Sequence, residues 1–369
     1  MGDDLKCPRC LNEDEKFFYL GEKGYYCRRC VKFGRIYFDV EFDASTEVVV
    51  GIDADYQFGF ELSQKQNECS QALIEKSKES DVLVYAACGA GKTEIVMALI
   101  SQYLTLGKAV GFAIPRRQVV IQLQERLQHY FKNIRVTKVC GGFTLQTTGD
   151  LIVCTTHQLF RYYQTFDLLI IDEPDAYPYE GNEVLQGIAQ TACRGRKVYL
   201  SATPNEDLLR LPQVQLFERP HGYPLIVPKL FLGFSWMLFM CLIHFMKKHQ
   251  RNMIFVPTIL LAEKMAKFFQ TVCIHSKTVN KEELLDAFQK GKYRSIFCTT
   301  ILERGITIEN VNVCVWNADH DVFSEASLTQ ILGRIGRSAN YPKGVGLLLC
   351  KEKKESVYGC IQVIRRMNA

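Results

Sequence analysis

Short apolar runs alternate with longer amphipathic stretches along most of the chain. Continuous apolar runs occupy Val82–Tyr85, Ala109–Ile114, Leu151–Thr155 and Phe166–Ile171, a pattern typical of strands that are buried on both faces. Between the second and third runs, Arg116–Phe131 carries its apolar residues at helical spacing. This alternation predicts an α/β fold in which parallel sheets are flanked by helices.

The same alternation returns in the second half of the chain. Apolar runs predict strands at Met253–Val256, Ser295–Thr299 and Val311–Trp316. Amphipathic stretches predict helices at Thr258–Gln270 and Lys281–Gln289. We therefore expect a second α/β domain built on the same principle as the first.

Five prolines interrupt periodic structure between the two alternating parts. They are Pro204, Pro212, Pro220, Pro224 and Pro228. We expect the boundary between the domains near residues 205–228. With a separate N-terminal unit described below, the predicted domains are residues 1–50, 51–212 and 213–369.

One apolar run, Leu230–Met246, has a different length from the predicted strands. Only Ser235 and His244 are polar within it, and it falls just short of the roughly 20 residues that span a bilayer. A buried helix is the favoured interpretation, and a helix that contacts a membrane is the alternative.

Net charge and cysteine content bear on the possible partners and on the cellular compartment of the protein. The formal net charge of +5 drops to about +3 if four cysteine thiolates bind one zinc ion, so bulk charge alone does not indicate a nucleic-acid partner. Most of the 15 cysteines lie in apolar runs, as small buried residues do. The N-terminus, Met1-Gly2-Asp3-Asp4, does not resemble a signal peptide, so we expect a reducing cytosolic compartment.

Four N-terminal cysteines form two Cys-x-x-Cys pairs. The pairs are Cys7–Cys10 and Cys27–Cys30, with 16 residues between them. Each pair makes a tight knuckle, and two knuckles complete a tetrahedral zinc site with no open position; a redox role is the weaker alternative. The segment between them predicts a small hairpin that is too short to build its own core, so the metal would supply folding energy.

The run Ala86–Thr93 follows the first predicted strand and precedes a helix-forming segment. It fits the phosphate-loop pattern G-x-x-x-x-G-K-[ST], with Ala86 in place of the first glycine. Small residues allow backbone N–H groups to close around phosphate oxygens, Lys92 adds a charge for the β- and γ-phosphates, and Thr93 offers a hydroxyl to magnesium. The predicted nucleotide contacts here are Gly89, Ala90, Gly91, Lys92 and Thr93.

A glutamine lies 26 residues before Lys92. Gln66 lies at the start of a predicted helix, and a side-chain amide can both donate to and accept from an adenine edge. A solvent-exposed glutamine with no ligand is the alternative.

Two carboxylates, Asp172 and Glu173, end the fourth apolar run. In phosphate-loop enzymes a first carboxylate holds magnesium through water and a second orients the attacking water, and we assign these roles to Asp172 and Glu173. The hydroxyls of Ser201 and Thr203, after the next predicted strand, could link this motif to a bound nucleic-acid strand.

Two arginines near the C-terminus lie three residues apart in Gln330–Arg337. Guanidinium groups suit phosphate, and Arg334 and Arg337 could neutralise charge that develops on a γ-phosphate. The second half contains no phosphate loop of its own. We therefore expect it to complete the first nucleotide site, with Lys92, Asp172, Glu173 and the two arginines as the catalytic set.

The motifs AxxGxGKT, DExx, SAT and QxxGRxGR, in this order, resemble those of superfamily-2 helicases and translocases over residues 60–369. The resemblance implies two tandem RecA-like domains, with ATP in the cleft between them and nucleic acid across the top. It adds a nucleotide contact at Gly305. It also implies weaker, sequence-independent DNA contacts at Arg116, Gly142, Thr156 and Thr300.

Further features resemble the ComFA family of late competence ATPases. These are the four-cysteine unit directly before the helicase core and the run Asp172–Tyr179, which is similar to DEVDAFP in that family; Pro174 departs from it. The resemblance implies an ATP-driven motor at the cytosolic face of the membrane that brings transforming single-stranded DNA into the cell. Implied partners are the uptake channel, a ComFC-type protein and a recombination mediator, with peripheral membrane association and oligomerisation as further possibilities.

Two alternatives stay open at this point. A replication-restart helicase of the PriA type also joins zinc cysteines to such a core, although its zinc ligands normally number eight and follow the ATPase lobe. A zinc-containing assembly module that binds DNA or partners, with ATP only switching its shape, is the alternative from outside the motor enzymes.

Overall fold

The computed structural model describes residues 5–38, 51–303 and 308–369. The chain divides into two compact units. One contains residues 1–85 and 92–215, and the other contains residues 86–91 and 216–369. The domain limits expected at residues 50 and 212 remain predictions, and residues 39–50 of the N-terminal unit lie outside the described part of the chain.

The N-terminal segment contains an antiparallel hairpin of β1 (Phe18–Gly21) and β2 (Gly24–Cys27). Phe18 pairs with Cys27 and Gly21 pairs with Gly24, so the second strand ends at a cysteine of the second knuckle. The hairpin predicted between the two cysteine pairs is confirmed.

Among the described residues, the first sheet has seven strands. They are β3 (Val82–Ala86), β4 (Val110–Ile114), β5 (Val136–Val139), β6 (Leu151–Thr155), β7 (Phe166–Asp172), β8 (Cys193–Ser201) and β9 (Gln213–Leu216). Their order is β5-β6-β4-β7-β8-β3-β9, and the neighbours from β5 to β3 are parallel. The helices are α1 (Gln64–Ser77), α2 (Lys92–Ile95), α3 (Met97–Thr105), α4 (Arg117–Tyr130), α5 (Glu183–Ala192) and α6 (Glu206–Leu209).

The second sheet has six parallel strands in the part of the chain that the structure describes. They are β10 (Lys229–Leu232), β11 (Asn252–Phe255), β12 (Val272–Ile274), β13 (Ser295–Cys298), β14 (Asn312–Trp316) and β15 (Gly346–Cys350), in the order β10-β15-β14-β11-β13-β12. The helices of this unit are α7 (Ser235–Lys248), α8 (Ile259–Phe268), α9 (Lys281–Gln289), α10 (Glu325–Leu332) and α11 (Glu355–Met367).

The central strands are apolar because both of their faces are covered. Every residue of β4 and β6 is buried, and so is every residue of β11 and β13 in the second sheet. Burial of a Val, Leu, Ile or Phe side chain stabilises a fold by roughly 1.5–3 kcal/mol. The predicted α/β class with parallel sheets is confirmed.

The apolar run Leu230–Met246 is not the single buried helix that we expected. Its first residues belong to β10, and α7 starts at Ser235 after Gly233. Helix α7 buries Leu238, Leu242 and Phe245, whereas Trp236 is 69% exposed. Across the part of the chain that the structure describes, no helix combines the length and apolar character that crossing a bilayer requires.

Candidate nucleotide and metal sites

The four N-terminal cysteines converge on one point. The Sγ atoms of Cys7 and Cys30 are 3.8 Å apart, as are those of Cys10 and Cys27, and all four sulfurs lie within 4.8 Å of one another. Sulfurs placed tetrahedrally at a Zn–S distance of about 2.3 Å lie roughly 3.8 Å apart. The cluster therefore fits a zinc ion with the expected ligand set, and it offers no fifth protein ligand among the described residues.

The thiols of this cluster influence one another strongly. Hydrogen bonding from Cys10 lowers the pKa of Cys7 to about 7 and also lowers the pKa of Cys27. The same contacts raise the pKa values of Cys10 and Cys30. A cation would complete the deprotonation, because zinc binds thiolates rather than thiols.

The N-terminal segment packs against α5 within the first unit. The Thr191 hydroxyl donates to the carbonyl of Arg9 at 2.8 Å, and Arg29 forms an ion pair with Glu183. At Gly187 an added Cβ would lie 2.1 Å from the carbonyl oxygen of Cys10, so only glycine permits this close approach. The first cysteine pair is thereby fixed to the sheet-bearing part of the unit.

The phosphate loop connects β3 to α2 through two glycines with left-handed backbone. The φ angles of Gly89 and Gly91 are +84° and +89°, values that residues with a Cβ rarely adopt. Lys92 is the first residue of α2, and Thr93 is buried beside it. The local fold that the motif requires is therefore present.

The hydroxyl of Thr93 has an internal partner that the sequence did not indicate. The Arg126 guanidinium, on α4, donates from Nη2 to Thr93 Oγ1 at 2.7 Å. Its Nη1 lies 3.8 Å from a carboxylate oxygen of Glu94. Thr93 is the residue expected to offer its hydroxyl to magnesium, so Arg126 contacts a predicted metal ligand.

Asp172 ends β7 and Glu173 follows it with a left-handed φ of +53°. A residue with a Cβ is strained there, and such strain is concentrated at functional sites. Burial and then the charge of Glu173 raise the pKa of Asp172 to about 7, while the positive charges of Lys92 and Arg126 oppose this shift. Within the first unit, the charges of Lys92 and Arg126 thus act on Asp172, and Arg126 also contacts Thr93.

The Oδ1 atom of Asp172 is buried and has no hydrogen-bond partner within residues 5–38, 51–303 and 308–369. A buried carboxylate oxygen without a partner is unfavourable. Together with the Thr93 hydroxyl it supplies hard oxygen ligands of the type that Mg²⁺ prefers. The residues present therefore fit a magnesium ion.

Asp175 connects the carboxylate motif to the end of β8. Its two carboxylate oxygens accept hydrogen bonds of 2.7 Å from the hydroxyls of Ser201 and Thr203. Asp175 is 4% exposed. These bonds fix the loop after Asp172 to the adjacent strand, and sequence reasoning had not given Asp175 a role.

Gln66 has a local structural partner. Its Oε1 accepts from the backbone N–H of Ser63, and the Ser63 hydroxyl accepts from the N–H of Gln66. This is a capping box at the start of α1. The pattern Ser-x-x-Gln could have predicted it, and the nucleotide contact proposed for Gln66 stays a prediction.

In the second unit a buried arginine joins the phosphate loop to the arginine motif. Arg219 is 1% exposed. Its Nε donates to the carbonyl of Cys88 at 3.0 Å, its Nη1 donates to the carbonyls of Ile335 and Gly336 at 2.8 Å, and its Nη2 donates to that of Gly333 at 3.0 Å. Burial lowers the pKa of Arg219 to about 10, so the side chain remains charged near neutral pH.

The two predicted catalytic arginines lie in the same segment. Arg334 is 2% exposed, and Arg337 donates from Nε to the Gly333 carbonyl at 3.2 Å. Gln330 accepts from the Cys88 thiol at 3.1 Å. The catalytic roles of Arg334 and Arg337 stay predictions. The sequence motifs did not mark Arg219, which lies in a proline-rich segment outside any of them.

The four residues expected to contact DNA lie in different parts of the fold. Arg116 precedes α4 and Gly142 lies in the turn after β5 with a φ of +84°. Thr300 begins a short 3-10 turn in the second unit. Thr156 is fully buried, so its side chain does not reach the surface in this arrangement. Gly305 lies outside the described residues.

Two family models match the chain. Residues 59–206 match the model described as the res subunit of type III restriction enzymes, and residues 237–339 match the helicase conserved C-terminal domain. With the two parallel sheets and the phosphate loop, these matches define a helicase-like protein of superfamily 2, an ATP-dependent class of enzyme.

Two curated relatives match almost the whole chain. The competence protein ComFA of Bacillus subtilis is 32% identical, covering 98% of this chain and 85% of its own length. ComFA of Streptococcus pneumoniae is 31% identical, with coverage of 99% and 90%. The chain belongs to the ComFA family.

Solved structures share the fold at low sequence identity. Saccharomyces cerevisiae Dbp5, in a structure with RNA and ADP BeF3, is 17% identical with a TM-score of 0.59 over 84% of this chain and 92% of that one. The DEAD-box helicase Mss116 is 16% identical with a TM-score of 0.60, over 79% of this chain and 70% of that one. The predicted RecA-like architecture of the two parallel sheets is confirmed.

Proposed function

We propose that the chain is a DNA-dependent ATPase that moves along single-stranded DNA and drives uptake of transforming DNA during natural competence. Membership of the ComFA family supports the biological role. The observation that carries the enzymatic part is the grouping of Lys92, Thr93 and Asp172 in the first unit, with Glu173 next in sequence to Asp172.

In this proposal each residue has a distinct task. The phosphate loop from Gly89 to Gly91 directs backbone N–H groups at the phosphates, and Lys92 adds a positive charge to the β- and γ-phosphates. Thr93 and Asp172 hold Mg²⁺, which supplies charge neutralisation on the nucleotide when bound. Glu173 accepts the proton of the attacking water.

The remaining assignments follow the family. Arg334 and Arg337 neutralise charge that develops on the γ-phosphate, while Gln66 and Gly305 contact the nucleotide. We assign a structural zinc ion to Cys7, Cys10, Cys27 and Cys30, and RecA-like domains to residues 51–212 and 213–369.

We also place the protein in its cellular setting by family. It would act in the cytoplasm at the inner face of the membrane, in peripheral association with it, and it could form oligomers. Its partners would be single-stranded DNA, the uptake channel, a ComFC-type protein and a recombination mediator.

The decisive measurement is ATP turnover with and without single-stranded DNA. Glu173→Gln should reduce DNA-stimulated turnover at least about a hundredfold, because it removes the base but preserves shape, and it should leave nucleotide binding intact. Lys92→Ala should weaken nucleotide binding itself. Glu206→Gln, at an exposed position on α6, is the matched control and should behave as wild type.

If DNA-stimulated turnover were intact in both Glu173→Gln and Lys92→Ala, the proposed ATPase mechanism would be refuted. The biological part needs a second readout, which is DNA uptake by a strain that carries Glu173→Gln. Loss of uptake supports a motor, whereas retained uptake would favour a module that ATP only switches.

A further inference from the structure

A tight turn follows β5 at the edge of the first sheet. Its ends are closed by two backbone hydrogen bonds, from Cys140 N to Phe143 O at 3.1 Å and from Phe143 N to Cys140 O at 2.7 Å. Arg117 donates from Nε to the carbonyl of Gly141 at 2.6 Å. The turn is therefore fixed in place, and Phe143 is held at a defined position on the surface.

The ring of Phe143 is exposed and has two cations beside it. The side chain is 39% exposed, although phenylalanine is usually buried. The Lys138 ammonium lies 4.7 Å from the ring centroid, and the guanidinium carbon of Arg117 lies 5.8 Å from it. Cations at such distances are attracted to the ring, so the aromatic and basic groups form one surface.

A groove of about 350 Å³ adjoins this surface. Its lining includes Arg135, Lys138, Phe143, Leu145 and Gln146, and none of the residues that line it is acidic. Leu145, two residues after Phe143, is fully exposed. The described residues provide no carboxylate partner for the side chains of Arg117, Arg135 or Lys138.

The chemistry of the groove favours a single nucleic-acid strand. The Asp150 carboxylate binds the backbone N–H of Arg135 at 2.7 Å but pairs with none of the three cationic side chains. Cationic side chains without a carboxylate partner among the described residues fit a chain of phosphates, and a partly exposed aromatic ring fits a base. In a duplex the base faces are covered by stacking, so a flat ring can reach them only in an unpaired strand. A contact of this kind would add to the backbone contacts expected at Arg116 and Gly142.

We propose that Phe143 is a base-stacking position for single-stranded DNA, with Arg117, Lys138 and Arg135 binding the adjacent phosphates. The inference rests on the proposed function, because it assumes that the chain binds single strands. It differs from the contacts expected by family, which read only the sugar–phosphate backbone.

The test measures binding of a labelled single-stranded oligonucleotide by fluorescence anisotropy over a range of salt concentrations. Phe143→Leu, which keeps an apolar side chain without a π face, should weaken binding about tenfold, and Phe143→Trp should retain it. Lys138→Ala should lower the slope of log K against log salt by about 0.7, the value for one phosphate contact on a single strand. Phe143→Leu should leave that slope unchanged.

Two further measurements separate stacking from a general loss of structure. Replacing the bases of the oligonucleotide by abasic sites should make wild type and Phe143→Leu bind equally. A 2-aminopurine base placed in the strand should be quenched by wild type and less quenched by Phe143→Leu. Phe268→Ala removes another exposed phenylalanine, on α8, and should bind as wild type, while thermal unfolding checks that each variant is folded.

The outcomes distinguish this inference from the proposed function. If wild type binds single strands and Phe143→Leu binds them equally well, the stacking position is refuted and the motor proposal stands. If wild type neither binds single strands nor is stimulated by them, both proposals fall. An equal loss for Phe143→Leu and Phe143→Trp that persists on abasic strands would also overturn stacking.

Discussion

The four-cysteine cluster and the phosphate loop differ in what their predicted ligand-binding atoms contact. The cluster is drawn from residues 7–30, and its four sulfurs already lie within 4.8 Å of one another. The phosphate loop is held by distant side chains. Thr93 is contacted by Arg126, 33 residues away, and the Cys88 carbonyl by Arg219, 131 residues away.

We interpret this difference as one between a cysteine cluster that retains its metal ion and a nucleotide site that repeatedly binds and releases its ligand. The cysteine cluster has the spacing that a tetrahedral metal requires, so binding needs little rearrangement. In the proposed nucleotide site, the Thr93 hydroxyl must leave a hydrogen bond to Arg126 before it can serve magnesium. Magnesium therefore competes with Arg126 for the Thr93 hydroxyl. Such competition favours repeated binding and release of the ligand.

The largest effect is expected for Cys10→Ser. Zinc binding to such sites supplies roughly 10–16 kcal/mol that appears as folding free energy, and Cys10 is one of four ligands in the cluster. Metal analysis should fall from about one zinc per chain to nearly none, and residues 5–38 should become sensitive to proteolysis.

The control is Cys241→Ser, which changes a partly exposed thiol of α7 outside the cluster. It should keep full zinc content and protease resistance. If Cys10→Ser retained full zinc content and protease resistance, the assignment of a structural zinc ion to the four cysteines would be refuted.

The next effect concerns Arg219, whose guanidinium serves four backbone carbonyls. Arg219→Ala leaves the carbonyls of Cys88 and Ile335 without their side-chain donor, whereas those of Gly333 and Gly336 keep Arg337 and His221 as neighbours. We expect a loss of about 3–5 kcal/mol in the free energy of unfolding. Arg219→Lys should lose less, because it retains a charge but not the planar fork. Urea denaturation measures both changes.

Arg210→Ala is the matched control, since Arg210 is exposed and pairs only with Asp207 among the described residues. Its free energy of unfolding should change by less than about 0.5 kcal/mol. If Arg219→Ala and Arg210→Ala unfold at the same urea midpoint, the phosphate loop does not depend on its distant support.

Sequence reasoning succeeded where the determining contacts are local. The strand Leu151–Thr155 and the helix Lys281–Gln289 were predicted with the bounds that the structure has. The cysteine pairs were equally readable, because the knuckle and hairpin geometry depends on short spacing. The run Leu230–Met246 was misjudged because its overall apolar character hid the break at Gly233.

The missed features depend on tertiary contacts. No motif marks Arg126 or Arg219, because their roles arise only when α4 approaches α2 and when residue 219 is buried beside the loop at Cys88. Asp175 was visible in the sequence as an acidic residue, but its partners Ser201 and Thr203 lie on another strand. Such contacts require the folded chain to be known.

A smaller effect is expected for the pH dependence of magnesium binding, which Asp172 should control. Its pKa is raised to about 7 because burial and Glu173 disfavour the charged form. Below pH 7 the carboxyl is therefore mostly protonated, and Mg²⁺ must displace that proton. Between pH 8 and pH 6 we expect magnesium binding to weaken by about tenfold.

The measurement is a magnesium titration in the presence of a fluorescent ATP analogue at several pH values. Any pH dependence that remains in Asp172→Asn belongs to the nucleotide or to other groups. Identical pH profiles for wild type and Asp172→Asn would show that Asp172 does not titrate in this range.

The smallest expected effect concerns the competition between Arg126 and magnesium for the Thr93 hydroxyl. Arg126→Ala removes the hydrogen bond to Thr93 Oγ1, and a single bond of this kind contributes about 0.5–1.5 kcal/mol. Half-saturation by magnesium should therefore occur at a concentration about two- to tenfold lower than in wild type. Arg126→Lys keeps the positive charge and separates the lost bond from the lost repulsion between cations.

Gln122→Ala, one turn earlier on the exposed side of α4, should titrate as wild type. Weaker magnesium binding in Arg126→Ala would reverse the interpretation, because Arg126 would then support Thr93 as a ligand rather than compete for it. In that case both sites would be assembled in advance, and the contrast between a retained and an exchanged ligand would need another physical cause.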